Sequence, residues 1–164
     1  KSLYIGEKVT MSEHMIQSAM IAERKKSSES LICACLLHDY GHFILEDPDN
    51  LVKKKLDGKH EEIGYEYLKK FFKEDVVEPI KYHVKAKRYL ARNKKYYNHL
   101  SDASKISLEL QGGILNKKEC RKFETNKFFK DSIKLRKFDE LAKKTNVKMK
   151  TINQYEDLLF SQLL

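Results

Sequence analysis

SESLICACLLHDYGH, residues 28–42, joins an apolar run of helix length to an ionisable pair, His38 and Asp39. Ser27 and Ser28 are suited to start a helix, and the residues after them are apolar almost all round, the pattern of a helix buried in a core. Gly41 is expected to stop it. The helix would therefore carry His38 and Asp39 into the interior. Aspartate is seldom buried unless it is paired with a cation or bound to a metal, and an adjacent histidine adds a neutral nitrogen ligand. The doublet points either to a metal site or to a core histidine beside a salt-bridged aspartate. Cys33 and Cys35 in the same run read as small buried hydrophobes. With Cys120 they make three cysteines, which gives neither a disulfide framework nor a zinc knuckle and fits a reducing cytoplasm.

The surrounding chain has 164 residues, 41% hydrophobic and 35% charged, the size and balance of one domain spanning residues 1–164. Six Gly, two Pro and no Trp disfavour the many tight turns of a β-sandwich, so the fold is expected to be all-α, a single helical bundle. No apolar run approaches the ~20 residues of a membrane span, and no membrane partner is expected. The sequence opens on Lys1, so residues can precede it. Net charge is +9, yet only five of the 33 Lys and Arg residues are Arg, and the lysines are spread over every segment. Arginine is the better residue for bidentate phosphate contacts, so a solvated lysine surface is expected and no nucleic-acid partner.

Helical spacing extends outward from the central stretch. Thr10 and Glu13 form a capping box for a helix reaching about Lys26. Residues 45–59 hold one Pro, three Asp and one Gly without periodicity and read as a loop over the site. Helices follow from His60 to about Phe72, from Asp75 to about Leu90 with Pro79 able to kink it, and from Ser101 to Leu110, where Gln111, Gly112 and Gly113 form a stop. Residues 115–144 read as one short and one longer helix. From Thr151 a last amphipathic helix should pack on the body. His99 and the Lys94–Tyr97 run before it are assigned to the surface.

Imidazole and carboxylate together suit Fe, Mn, Zn or Co. His14, His60 and His83 each lie on a predicted helix, and Asp139 comes late in the chain. His83 and Lys87 are four apart and Arg136 and Asp139 three apart, so each pair can present a ligand beside a cationic anchor. The order of a helical His, then His-Asp, then two further His and a late Asp is that of the HD-domain superfamily. The segments YIGE (residues 4–7), LLHDYGH (36–42), KHEEIGYEYL (59–68), HVKAKRYL (83–90), LSDAS (100–104), LELQGG (108–113) and FKDSIKLRKFDELAK (129–143) narrow the resemblance. Together they resemble the HD-domain mixed-valent di-iron oxygenases that cleave organophosphonates, most of all those forming glycine from 2-amino-1-hydroxyethylphosphonate. The likeness runs from Tyr4 to about Lys148.

This resemblance implies two iron ions in a mixed-valent Fe(II)/Fe(III) pair. His14, His38, Asp39 and Asp139 would hold one, and Asp39, His60 and His83 the other. Tyr4 would occupy the second iron until substrate arrives, with Glu7 moving alongside it. His42, Lys87, Ser104 and Arg136 would hold the phosphonate. The implied partners are a small organophosphonate, expected to bear an amine, and dioxygen, which would give phosphate and a carboxylic acid. Two other classes share the HD doublet: a metal-dependent phosphohydrolase acting on a phosphate ester, and a metal-stabilised binding module. The module would have no use for Lys87, Ser104 and Arg136, and the hydrolase none for a removable ligand such as Tyr4.

Overall fold

A computed structural model of the chain describes residues 8–45 and 58–164. Helix α1 (Met11–Arg24) starts from the expected reciprocal cap: Thr10 Oγ1 accepts from the Glu13 backbone N–H, and the Glu13 carboxylate accepts from the Thr10 N–H at 2.7 Å. This satisfies two donors that would otherwise face water. Helix α2 (Glu29–Leu37) is capped by the Ser28 hydroxyl and buries every residue from Leu31 to Leu36.

Gly41 does not stop this helix. α2 ends at Leu37, a turn carries the chain through His38 to Tyr40, and Gly41 opens the short α3 (Gly41–Ile44). Close approach is what requires glycine here. A Cβ on Gly41 would lie 1.9 Å from the His60 carbonyl oxygen and 2.9 Å from the Gly64 nitrogen. α3 therefore packs backbone to backbone on α4 (His60–Leu68), which brings His60 beside the His38–Asp39 turn.

α4 is shorter than its periodicity predicts. The chain turns after Leu68, and Phe72 forms an isolated antiparallel bridge with Leu163. α5 (Glu74–Leu90) runs through Pro79 without ending. The carbonyl that Pro79 leaves without a donor belongs to Asp75, in an exposed first turn where water can serve it. A helix unforeseen in the sequence follows, α6 (Lys94–His99), because the Asn93 side chain accepts from the Lys95 and Tyr96 N–H groups. Next come α7 (Asp102–Leu110), α8 (Lys117–Glu124) and α9 (Phe129–Leu141). Gly112 and Gly113 close α7 at φ +94° and +66°. Arg88 reaches them from α5, donating to Gly113 O at 2.8 Å and to Gly112 O at 3.0 Å. The tail is a 3-10 turn (Ile152–Tyr155) and α10 (Glu156–Ser161). It docks as expected through buried Tyr155, which donates to Glu23 at 3.0 Å, and through Gln162, which accepts from Ser30 at 2.6 Å.

α2 forms the centre, with α1, α5 and α9 packed against it and α4 against α5. Leu31, Leu36, Ile80 and Leu135 are buried in this core, and each contributes roughly 2 kcal/mol by leaving water. Their packing fixes four helices around the His38–Asp39 turn. No helix among the described residues is long and apolar enough to cross a membrane.

Candidate metal centre

Five elements converge on Asp39. α1 supplies His14, the turn after α2 supplies His38 and Asp39, α4 supplies His60, α5 His83 and α9 Asp139; all six are buried. The two carboxylate oxygens of Asp39 face opposite ways. Oδ2 lies 3.5 Å from His14 Nε2 and 3.4 Å from His38 Nε2. Oδ1 lies 3.3 Å from His60 Nε2 and 3.6 Å from His83 Nε2. Asp139 Oδ1 closes the first group, 3.2 Å from His14 Nε2 and 3.9 Å from His38 Nε2. Two clusters of metal-ligating side chains result, His14–His38–Asp39 and Asp39–His60–His83.

The outward nitrogens fix which way these rings point. Nδ1 of His14 is 2.9 Å from the Ala142 carbonyl oxygen, that of His38 2.8 Å from Cys35 O and that of His83 2.6 Å from Ile80 O. A carbonyl only accepts, so each Nδ1 carries a proton and the neutral ring turns a lone pair inward at Nε2. The inward nitrogens nevertheless approach in pairs, His14 to His38 and His60 to His83, each at 3.1 Å. Two facing lone pairs would repel, so either a proton on one nitrogen or a metal ion must bridge each pair. Asp39 Oδ2 and Asp139 Oδ1 are buried and accept no hydrogen bond among the described residues. This donor set fits a metal in each cluster, with backbone carbonyls setting the tautomers of His14, His38 and His83 and Glu61 lying 3.6 Å from Nδ1 of His60.

The charges adjust to the same crowding. Burial opposes protonation of His14 and His60, but Asp139 for the first and Asp39 for the second outweigh it and raise both pKa values. Burial lowers His38, and burial together with His60 takes His83 well below its ordinary value. Asp39 and Asp139 would be raised by burial, yet His38 and His60 around the one and Arg136 beside the other hold both well below the usual carboxylate range. Two carboxylates thus stay ionised in the interior, ready to receive cations.

A group of basic side chains adjoins the clusters, joined to them where Arg136 donates to Asp139. Lys87 and Arg136 are buried. The Arg136 guanidinium donates to Asp139, to Glu140 and, through Nε, to the Tyr96 hydroxyl at 3.0 Å. Lys87 Nζ donates to Ser107 Oγ at 2.8 Å, and Lys143 Nζ donates to Ser104 Oγ at 2.9 Å. Burial, then Arg136, pushes the Lys87 pKa down to about 7. His42 stacks on His60 with centroids 4.0 Å apart, its Nδ1 buried without a partner among the described residues, and burial takes its pKa down to about 3.

The structure thus brings His14, His38, Asp39, His42, His60, His83, Lys87, Ser104, Arg136 and Asp139 into one region, while Tyr4 and Glu7 lie outside the described residues. Tyr96, Glu140, Ser107 and Lys143 join it unforeseen. Glu140 and Lys143 fall four and seven residues after Arg136, so α9 spacing could have found them. The sequence assigns Tyr96 to the surface with its run, and Lys94, Lys95 and His99 are exposed as expected, but Tyr96 is half-buried against Arg136. The Asn93 cap winds α6 so that Tyr96 turns inward to Arg136.

The sequence matches the HD domain family over residues 11–119. It is 44% identical over 145 residues to 1-hydroxy-2-(trimethylamino)ethylphosphonate dioxygenase (glycine-betaine-forming) of Leisingera caerulea, covering 88% of this chain and 74% of that protein. It is 40% identical over 157 residues to hydroxymethylphosphonate dioxygenase of Gimesia maris, covering 93% and 77%. A protein of Acanthamoeba polyphaga mimivirus, L432, is 37% identical over 163 residues, covering 98% and 74%.

Proposed function

The chain belongs to the HD-domain family, among the relatives of hydroxyalkylphosphonate dioxygenases, and we propose that it is a di-iron dioxygenase cleaving the carbon–phosphorus bond of a 1-hydroxyalkylphosphonate. The observation that supports this most is the split carboxylate of Asp39, one oxygen toward each histidine pair, beside buried Lys87 and Arg136. Substrate and one dioxygen together account for every atom of a carboxylic acid and phosphate, so no outside reductant is consumed.

In this reading His14, His38, Asp39 and Asp139 hold one iron and Asp39, His60 and His83 the second. A mixed-valent Fe(II)/Fe(III) pair supplies one-electron chemistry toward dioxygen and Lewis acidity toward the substrate's oxygens. The chain's own residues bind and orient. Lys87, Arg136, Ser104 and His42 grip the phosphonate, and cationic donors around a buried dianion make strong, directional hydrogen bonds. A dianion beside Lys87 draws its pKa back up from about 7, so binding takes up a proton. Burial of the site excludes water that would otherwise weaken these contacts. The family resemblance adds a role at the second iron for Tyr4 and Glu7, which lie outside the described residues. Loss of a visible absorption in Tyr4→Phe, with iron content unchanged, tests that part. The amine-bearing substrate class follows the trimethylamino relative.

Aerobic assay of the iron-loaded protein against hydroxymethylphosphonate, 2-amino-1-hydroxyethylphosphonate and its trimethylamino analogue tests the whole. Phosphate release matched one to one by oxygen uptake is expected with at least one of them. Hydrolysis of phosphate esters without oxygen uptake would assign the chain to the hydrolases instead.

A further inference from the structure

Two lysine–serine pairs stand one turn apart on α7, and they differ in where the hydroxyl proton goes. Ser107 Oγ accepts from Lys87 Nζ at 2.8 Å and donates to the Ser104 carbonyl at 3.1 Å. Its hydrogen bonding is closed locally. Ser104 Oγ accepts from Lys143 Nζ at 2.9 Å, and no described residue takes its proton. An ammonium group has donors and no acceptor, so the Ser104 proton must point away from Lys143. Ser104 is only 7% exposed. A buried hydroxyl with its oxygen engaged and its proton unspent is set as a donor.

Lys143 is itself held in place from the far side. Glu140 Oε1 accepts from Lys143 Nζ at 3.3 Å, while Glu140 Oε2 accepts from Arg136. Arg136, Glu140 and Lys143 therefore form a chain along one face of α9 and its end, from the buried guanidinium to the serine. Without Lys143 a serine in a helix turns its hydroxyl to the carbonyl one turn back, as Ser107 does.

We propose that Lys143 is a positioning residue of the anion subsite, holding Ser104 Oγ by its lone pair so that the hydroxyl proton is presented to the phosphonate. This rests on the phosphonate reading of the pocket and adds a residue that acts through another. It also predicts that the hydrogen bond from residue 143 matters more than the charge there.

The test compares Ser104→Ala, Lys143→Met, their double variant and Lys143→Gln in the iron-loaded protein. Calorimetric binding of methylphosphonate and the turnover of hydroxymethylphosphonate are measured together, with iron content and thermal midpoint as folding controls. Lys143→Met is expected to weaken binding and raise KM about fivefold, the same as Ser104→Ala, with kcat within twofold. The double variant should be no worse than either single one. Lys143→Gln, which keeps a donor and loses the charge, should restore binding to within twofold of the unchanged protein. An additive double variant, an unaffected Lys143→Met, a Lys143→Gln as weak as Ser104→Ala, or no methylphosphonate binding by the unchanged protein would each overturn the proposal. Should Lys143→Met fail to fold, Lys143→Ala takes its place in the comparison. If methylphosphonate binding follows the expected pattern while no hydroxyphosphonate is turned over, the oxygenase reading fails and Lys143 keeps its role. If turnover is present and the Lys143 variants match the unchanged protein, the reverse holds.

Discussion

The two halves of the centre share Asp39 but are built to different standards of closure. Around Oδ2, His14 and His38 are joined by Asp139, and Arg136 pins Asp139 from behind. That half draws on α1, the turn after α2 and α9, and its members are at most 2% exposed. Around Oδ1, His60 and His83 meet no second carboxylate on their Nε2 side among the described residues, Glu61 lying 3.6 Å from the outward Nδ1 of His60, and His60 is 8% exposed beside the stacked His42. The difference resembles that between a structural metal site, whose ligand shell is full, and a catalytic one that keeps positions open. On the proposed reading, the half near Asp139 would hold its metal, and the half near His42 would be the one to take a ligand that comes and goes.

The largest effect should come from breaking the residue common to both. Asp39→Ala removes an oxygen from each half and leaves four crowded histidines with one carboxylate fewer, so iron should fall from about two per chain to near zero and turnover should vanish. His83→Ala touches the open half alone and should retain about one iron per chain while also losing turnover. Iron analysis alongside oxygen uptake distinguishes the two. Equal iron in both variants would mean that the halves do not differ as their ligand shells suggest.

Cationic anchors come next, and here the structure separates two residues that look equivalent in sequence. Lys87 donates to Ser107 and to no candidate ligand among the described residues, whereas Arg136 donates to Asp139 itself. Removing one cation from a buried dianion costs roughly 2 to 5 kcal/mol. Lys87→Ala should therefore raise KM well over tenfold with iron intact. Arg136→Ala should do the same and also deplete iron from the Asp139 half, because an unpinned buried carboxylate loses its orientation. Full iron occupancy in Arg136→Ala would remove that support role.

How much of this was readable in advance follows the range of the forces involved. The helices were legible because apolar spacing and caps such as Thr10–Glu13 and Ser28 act within one turn. The candidate site was legible at His38–Asp39, which sits at the end of an apolar run where a charge needs a reason to be, while His14, His60, His83 and Asp139 were added only by the HD-domain resemblance. Gly41 was misread because a close approach between α3 and α4 leaves no local mark. Tyr96 was misread because its lysine-rich run signals solvent on average, while one Asn93 cap turns a single side chain inward. Arg88, one residue from Lys87, carried no sign that it would clamp Gly112 and Gly113.

A pH titration sharpens the contrast between Lys87 and its neighbours. Arg136 and Lys143 press its pKa down, Asp139 and Glu140 press it up, and burial dominates, leaving about 7. The anion pocket of the substrate-free protein therefore loses a charge as pH rises through about 7. Methylphosphonate binding should weaken between pH 6 and 8, and Lys87→Arg, which stays charged, should flatten that dependence. For folding stability the sign is opposite. The unfolded chain binds the Lys87 proton up to about 10.5, so between pH 7 and that value it holds more protons than the folded one, and this contribution grows with rising pH. An unaltered pH profile in Lys87→Arg would place the titrating group elsewhere.

The smallest expected effect belongs to Ser104→Ala. Its hydroxyl is neutral, and a neutral hydrogen bond is worth on the order of 1 kcal/mol, against several for a cation facing a dianion. The oxygen it removes also leaves the Lys143 ammonium without one acceptor, but Glu140 remains within 3.3 Å to receive it, so no buried charge is stranded. KM should rise about fivefold, iron content should stay at two per chain, and the visible spectrum should not change. A loss as large as that of Lys87→Ala would mean that the serine positions more than its own hydrogen bond, through the α7 turn that also carries Ser107.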